Sequence, residues 1–307
     1  MAEIVLETKG LTKYYGAKPA LDHLDLRVPR GCICGFLGRN GAGKTTAIKL
    51  MLGLLTPTAG SASLLGCDST ALTPAIRQRI GYVTEGHRLF RWMTIGRLEE
   101  FQRAFFPKQW DSRLFAEMIE YFELSKRQKI KHLSNGQRAQ VSLALALAPN
   151  PELLVMDDPT LGLDAAIRRQ FLEGMIELIM RQGRTVLFSS HILADVERVA
   201  DRIVVIDKGV LRADCPLEQF RASVRKVVVH FENSAPADIE LAGLLHFRRS
   251  ERQLELTLVG VGDAEVADWA ARAGAERFDF VEMNLEDQFI EFTASPHRRR
   301  LFQWEKA

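Results

Sequence analysis

The hydrophobic pattern of the first two thirds of the chain predicts an α/β domain. Continuous apolar runs, typical of strands buried on both faces, occupy residues 32–37, 153–156, 185–189 and 203–206. Helical spacing, with apolar residues three or four positions apart, follows the first run at 47–55. A second helical run, rich in alanine and leucine, covers 138–148 and ends before Pro149. Buried strands therefore alternate with helices, as in a layered α/β fold.

Within this domain the pattern also predicts peripheral strands and a helical insertion. Short strands are predicted at 4–9, 24–28, 63–65 and 80–85. From 94 to about 131 the spacing is helical, with an interruption at Pro107. We therefore expect an all-helical insertion at about 86–135.

The composition changes after Pro216, which predicts a second domain. Alternating, strand-like segments lie at 226–231, 254–259 and 277–283. Helical segments are predicted at 236–245, 263–273 and 285–292. The expected organisation is an α/β domain at 1–215, a small α+β domain with one covered sheet face at 216–295, and a basic tail at 296–307.

Composition narrows the possible functions without naming one. The chain has 307 residues, of which 47% are hydrophobic and 26% charged, and a formal net charge of +2. This balance gives no signal for nucleic-acid binding, and the four cysteines form no disulfide framework. The chain shows neither an apolar stretch of membrane-spanning length nor a signal-peptide pattern. The sequence thus predicts a cytoplasmic protein.

A glycine-rich stretch, Gly38–Thr46, lies between the first apolar run and its helix. Its spelling is G-x-x-x-x-G-K-T, and strand–loop–helix is the context in which this pattern cradles phosphates. Glycines let backbone N–H groups converge, and the helix N-terminus adds partial positive charge. Lys44 is expected to contact the β- and γ-phosphates, and the hydroxyl of Thr45 to ligate Mg²⁺. The stretch therefore predicts a nucleotide site.

Two acids and a histidine follow other buried strands. Asp157 and Asp158 end the run at 153–156, which fits a Mg²⁺ ligand followed by a carboxylate that positions water. His191 follows the run at 185–189, at the strand end where ligands bind in open α/β sheets. Each has a purely structural alternative, as an acidic turn or a strand-end histidine. The same holds for Tyr15, which stacks on a purine or is half buried at a strand end, and for Ser134, an ordinary helix cap.

Taken in order along residues 3–215, these features resemble the nucleotide-binding subunit of an ABC transporter. Tyr15 matches the base-stacking aromatic, Gly38–Thr45 the Walker A loop and Glu85 the Q-loop position. The remaining matches are Leu133–Gln137 to the signature, Asp157 and Asp158 to Walker B, Gly162–Asp164 to the D-loop and His191 to the switch histidine. The segment 284–289 is similar to the C-terminal extension of exporters whose permease is a separate chain.

The resemblance implies which residues form the site. Nucleotide-binding residues are then Tyr15, Gly38, Asn40, Gly41, Ala42, Gly43, Lys44, Thr45, Thr46, Ser134, Gly136 and Gln137. The implied metal ligands are Thr45, Glu85 and Asp157, and the implied catalytic residues are Asp158 and His191. ATP and Mg²⁺ are the expected cofactors.

The resemblance also implies the assembly and its location. Two copies, or one copy and another ABC ATPase, would face head to tail around ATP. Each phosphate loop would then be completed by the partner's Ser134–Gln137. A separately encoded membrane permease would carry the substrate and hold the ATPase on the inner face of the cell membrane.

Three positions depart from the family pattern. Glu85 stands where glutamine is usual, and Asn135 replaces the first signature glycine. Asp158 stands where the catalytic glutamate is expected, and its carboxylate is one methylene, about 1.5 Å, shorter, so the rate of hydrolysis is in question. The alternatives to a transport ATPase are a nucleotide-gated switch and an ATP clamp with little hydrolysis. One cassette and an insertion without heptads favour transport.

Overall fold

The structure is a computed structural model that describes residues 3–180 and 183–294. The described residues fall into two compact units, which divide between Asp214 and Cys215. The basic tail predicted at 296–307 lies outside the described residues. Within the described ranges, no helix has both the length and the hydrophobicity needed to cross a membrane.

An antiparallel sheet of four strands forms one part of the first unit. Its strands are β1 (Ile4–Tyr15), β2 (Lys18–Pro29), β4 (Ala59–Leu64) and β5 (Cys67–Asp68), in the order β2-β1-β4-β5. The first two strands are longer than predicted, because register shifts let the pairing continue past the polar positions that interrupt the alternation. Tyr15 therefore ends a strand and lies next to the turn to Lys18.

A second sheet of six strands forms the buried centre of this unit. Its strands are β3 (Ile33–Leu37), β6 (Ile80–Val83), β7 (Leu153–Asp157), β8 (Thr185–Ser190), β9 (Arg202–Asp207) and β10 (Val210–Pro216). Their order is β10-β9-β3-β8-β7-β6, and β3, β6, β7, β8 and β9 pair in parallel. Every residue of β3, β7 and β8 is buried, which explains their nearly continuous apolar runs.

The helices of the first unit include the predicted insertion. They are α1 (Lys44–Met51), α2 (Pro74–Arg77), α3 (Ile95–Arg103), α4 (Ser112–Tyr121), α5 (Asn135–Leu147), α6 (Ala165–Met180) and α7 (Leu193–Val199). Thr94 caps α3 by accepting a hydrogen bond from the N–H of Arg97 at 3.2 Å. Asp111 caps α4 in the same way, through the N–H groups of Arg113 and Leu114. The helices α3 and α4 lie within the predicted insertion and confirm its helical character.

The second unit is a small α+β arrangement, as predicted. It contains α8 (Leu217–Ser223), β11 (Val224–His230), β12 (Leu244–Arg249), β13 (Gln253–Val259), α9 (Asp263–Arg272), β14 (Arg277–Val281) and α10 (Leu285–Ala294). The antiparallel strands follow the order β12-β13-β11-β14. Val227, Leu256 and their neighbours pack against Val266 and Trp269 of α9 to form its core.

One predicted helix of this unit is wrong. No helix forms at 236–245, where an irregular segment leads into β12 at Leu244. Gly243 has a φ of 77°, and a Cβ there would lie 2.3 Å from the carbonyl oxygen of Val259, so a close turn against β13 replaces the helix. Leu241 packs against the core of this unit, and Leu245 is buried.

Candidate functional site

The phosphate loop joins a buried strand to the start of α1. Gly41 has a φ of 80° and Gly43 a φ of 106°, a left-handed region that glycine adopts without strain. A Cβ at Gly43 would lie 2.5 Å from the carbonyl oxygen of Ala20. At Gly38 a Cβ would lie 2.6 Å from the carbonyl oxygen of Ile206. The backbone at Gly38 and Gly43 is therefore packed so closely that larger residues do not fit, whereas Gly41 is required by its backbone conformation alone.

Lys44 is buried at the base of this loop. Its Nζ donates a hydrogen bond to the carbonyl oxygen of Gly38 at 2.8 Å. The same Nζ lies 3.5 Å from Oδ2 of Asp158, and the lysine side chain is only 5% exposed. The structure thus brings the predicted phosphate-binding cation together with the second acid.

Asp157 and Thr45 also meet. Asp157 ends β7, and its Oδ1 accepts a hydrogen bond from Oγ of Ser189 at 2.9 Å. Burial raises the pKa of Asp157, while hydrogen bonds from Ser189 and from the side chain of Thr45 oppose that shift. Two of the predicted metal ligands are therefore adjacent. Sequence reasoning missed Ser189, although its position near the end of β8, two residues before His191, could have indicated it.

Glu85, the third predicted metal ligand, is exposed and lines the same cavity as Thr45 and Asp158. Among the described residues, no group of three or more histidine, cysteine or acidic side chains has the arrangement of a metal site. Mg²⁺ in nucleotide sites is usually held by one or two carboxylates together with substrate phosphates and water. The adjacent oxygens of Thr45 and Asp157 fit that kind of partial coordination.

Asp158 occupies a turn with left-handed backbone, at a φ of 43°. Its N–H donates to Oγ of Ser189 at 2.9 Å, which fixes the peptide. Its Oδ1 accepts hydrogen bonds from the backbone N–H of His191 at 3.1 Å and from Nδ1 of the same residue at 2.9 Å. Because an ionised carboxylate only accepts hydrogen bonds, Nδ1 carries a proton, and Nε2 is left to contact a ligand. The short carboxylate thus contacts both Lys44 and His191.

Tyr15 and the phosphate loop line one open cavity of about 580 Å³. Arg39–Thr46 forms much of its wall, and Lys18–Ala20, Glu85, Asp158 and Leu161 form the rest. Tyr15 is 53% exposed and stands at the end of β1. The volume is within the range of about 300–1,000 Å³ that small-molecule sites occupy.

The predicted signature segment, Leu133–Gln137, differs in structure from the phosphate loop and does not line its cavity. Ser134 caps α5 by accepting a hydrogen bond from the N–H of Gln137 at 3.1 Å, and the amide oxygen of Gln137 accepts from the N–H of Ser134. Arg138 donates to Oδ1 of Asn135, the residue that replaces the first signature glycine, so this side chain is held against its own helix. A Cβ at Gly136 would lie 2.5 Å from Cγ2 of Ile167. None of Ser134–Gln137 is among the described residues that line the cavity.

Comparisons with known proteins place the chain among ATP-binding transport subunits. A family model described as ABC transporter matches residues 21–161. The Nod factor export ATP-binding protein I of Burkholderia thailandensis is 32% identical, with 95% of this chain and 98% of that protein covered. The daunorubicin resistance ATP-binding protein DrrA3 of Streptomyces coeruleorubidus is 37% identical, with 72% and 71% covered. A solved dimeric ATP-binding cassette in a post-hydrolysis state, bound to ADP and Pi, is similar with a TM-score of 0.62, 25% identity, and 69% and 98% coverage.

Proposed function

The chain belongs to the ABC transporter family as an ATP-binding subunit, an ATPase of that class, and from this premise we propose that it drives export through a separately encoded membrane permease. The single observation that supports this use of ATP is the cavity shared by Tyr15, the phosphate loop and Asp158. Two relatives whose names specify export or drug resistance support the direction of transport. The match to the Nod factor relative covers 95% of this chain, so it reaches into the second unit as well.

Nucleotide binding is proposed to begin at the phosphate loop. The N–H groups around Gly41 and Gly43, together with the start of α1, favour an anion in the cavity. Lys44 would exchange part of its contact with Gly38 and Asp158 for phosphate oxygens, which are stronger partners for an ammonium group. Tyr15, exposed in the same cavity, would stack on the base.

Metal binding is proposed at Thr45 and Asp157, with Glu85 completing the set when nucleotide is present. A bound Mg²⁺ would neutralise developing charge on the phosphates. The buried carboxylate of Asp157 carries a raised pKa, and a nearby divalent cation would favour its ionised form. Ser189 holds that carboxylate in place through its 2.9 Å hydrogen bond.

Hydrolysis is proposed to use Asp158 as the base that takes a proton from water. The carboxylate is already oriented by two hydrogen bonds from His191, and its peptide is fixed by Ser189. To hold the γ-phosphate, Nε2 of His191 would have to donate a hydrogen bond while Nδ1 donates to Asp158, and both ring nitrogens donate only in the imidazolium form. Because aspartate is the shorter acid, we expect slow but measurable turnover.

Assembly is proposed to be a head-to-tail dimer around ATP, either of two copies or with another ABC ATPase. Ser134–Gln137 lies outside the cavity of its own chain, so it is available to complete the site of a partner. The similar solved cassette is dimeric, which supports this arrangement. Asn135 is tied back by Arg138, so its side chain does not have to prevent the approach of a phosphate.

A patch of exposed aromatic side chains on the helical insertion suits contact with the permease. Phe90, Trp92, Phe101 and Phe105 are 49%, 68%, 40% and 56% exposed, and adjacent rings of the patch contact one another. Large exposed apolar patches are typical of interaction surfaces. Because this aromatic patch follows Glu85 in the chain, a movement of Glu85 at the nucleotide site would also move the patch and thereby the bound partner.

Recovery of a membrane partner tests the proposal against the switch alternative. The tagged chain is expressed together with a candidate permease, chosen as a polytopic membrane protein encoded near it, and is purified in detergent. We expect the two to co-purify, and Trp92→Ala combined with Phe105→Ala to reduce recovery while ATP affinity is retained. No recovery of any membrane protein with the wild-type chain would favour a nucleotide-gated switch instead.

A further inference from the structure

One buried side chain, His87, interrupts the otherwise exposed loop after β6. Its neighbours Glu85, Gly86 and Arg88 are exposed, whereas His87 is 3% exposed. Gly86 and His87 are both left-handed, with φ values of 75° and 45°. This conformation is uncommon for residues other than glycine, although histidine adopts it more readily than most. The loop is therefore bent in a way that buries the imidazole.

The buried ring makes one directed hydrogen bond. Nε2 of His87 lies 2.9 Å from the carbonyl oxygen of Pro159, 72 residues further along the chain. Because a carbonyl oxygen only accepts, Nε2 carries the hydrogen. Nδ1 is buried and has no hydrogen-bond partner among the described residues. Among the described residues, Pro159 is thus the one hydrogen-bond partner of this ring.

The bond joins two loops that the proposed chemistry uses. Pro159 follows Asp158 directly, and the N–H of Leu161 donates to the carbonyl oxygen of Asp158 at 3.2 Å, so this turn is tight. At the other end, His87 is two residues from Glu85. Glu85 and Asp158 both line the nucleotide cavity, whereas His87 does not.

We propose that His87 is a positioning residue for ATP hydrolysis, because its hydrogen bond to Pro159 fixes the loop of Glu85 relative to the carboxylate of Asp158. The inference rests on the proposed function. It assigns His87 no contact with nucleotide or metal, and its effect is transmitted through Glu85 and Asp158. Loss of the bond should therefore slow turnover more than it weakens ATP binding.

Two amide substitutions separate the hydrogen bond from the backbone conformation. His87→Gln places an amide N–H close to the position of Nε2, whereas His87→Asn is too short to reach Pro159. Asparagine tolerates a positive φ better than glutamine does. Glutamine therefore keeps the hydrogen bond but strains the backbone, whereas asparagine keeps the backbone conformation but loses the hydrogen bond. If the hydrogen bond matters, glutamine is the better replacement, and if only the turn matters, asparagine is.

Steady-state phosphate release from the full-length chain, fitted for kcat and KM, decides between them. We expect His87→Asn to lower kcat about 10-fold, the scale of one lost hydrogen bond, with KM for ATP changed less than about twofold. His87→Gln should stay within about threefold of wild type. Equal kcat in wild type and His87→Asn, or better retention by asparagine than by glutamine, would overturn the inference.

A double-variant cycle tests the route of the effect. If His87 acts by placing Glu85, then Glu85→Gln should change kcat less in the His87→Asn chain than in the wild-type chain. Additive effects would contradict the coupling. Thermal unfolding is measured in parallel, since a merely structural role would lower Tm without changing kcat per folded molecule. A wild-type chain that hydrolyses no faster than Asp158→Asn would contradict the proposed function and this inference together, whereas an active wild type matched by His87→Asn would contradict this inference alone.

Discussion

The phosphate loop and the Ser134–Gln137 segment both precede a helix, but their backbone donors are used differently. Gly43 caps α1 without any side-chain hydrogen bond, and Lys44 beside it is buried. Ser134 caps α5 with a complete capping box through Gln137. The first helix start therefore keeps its donors for a ligand, whereas the second is partly satisfied by its own side chains.

The comparison indicates that one region determines the affinity for nucleotide and that the other is suited to closing a dimer around it. One region combines open donors, a buried cation and two acids in a single cavity, so it can bind nucleotide within one chain. The other region has a capped helix start and lies outside that cavity, so in the proposed dimer it would serve the site of a second chain. Substitutions in the two regions should accordingly have separable effects.

The largest difference between an effect on turnover and an effect on ATP affinity is expected from Asp158, the acid of the first region. Asp158→Asn removes the proposed base, so phosphate release should fall about 10²- to 10⁴-fold while ATP affinity is retained. Asp158→Glu should raise the rate, and His191→Ala should lower it. A turnover assay on purified wild type and these variants measures the series. Equal rates in wild type and Asp158→Asn would remove Asp158 from the catalytic assignment, and no turnover even with the permease would favour the ATP clamp.

A smaller change is expected from the cation of the same region. Lys44→Ala should weaken ATP binding by about 1.5–3 kcal/mol, because a charge-assisted contact with phosphate is lost. Lys49→Ala is the matched control, since Lys49 is exposed on the same helix. Nucleotide titration of the two variants measures the difference. Unchanged affinity in Lys44→Ala would mean that the loop is not the phosphate cradle.

The smallest change is expected from the cap of the second region. Ser134→Ala removes one side of the capping box and should lower the free energy of unfolding by about 0.5–2 kcal/mol. ATP affinity of the single chain should stay within error of wild type, because Ser134 does not line the cavity. Denaturant unfolding and nucleotide titration on the same sample check both parts. Weaker binding by the monomeric variant would contradict the division between the two regions.

Ser134 is a better probe of this region than Gly136. A side chain at Gly136 would overlap Ile167 of α6, so its replacement disturbs packing inside the chain as well as any contact with a partner. A larger residue at Ser134, such as Ser134→Arg, meets the approaching partner without that internal conflict. Ser134→Arg therefore tests dimerisation with less disturbance of packing inside the chain, and Ser134→Ala is its control for the lost cap.

Local sequence was enough for the phosphate loop and the strand ends. Gly38–Thr46 has a spelling fixed by chemistry, and the runs before Asp157 and His191 are apolar because parallel strands are buried on both faces. These features depend on neighbours in the chain, which a sequence shows directly.

Contacts between distant segments were beyond prediction. The left-handed turn at Asp158, its approach to Lys44 and the inward rotation of His87 each depend on chain segments far apart in sequence. The failed helix at 236–245 has the same origin, since a close approach to Val259 decides the turn at Gly243. Periodicity records which residues are apolar, but it does not record which partner buries them.

The most direct test of this account is the mass of the Asp158→Asn chain, measured by light scattering with and without Mg²⁺-ATP. Blocked hydrolysis should hold the closed state, so ATP is expected to double the mass from the 34.6 kDa of one chain. Adding Ser134→Arg should keep the chain monomeric while ATP still binds. A monomer at every saturating ATP concentration, or a dimer that forms equally well without ATP, would contradict a site completed by the signature segment of a second copy.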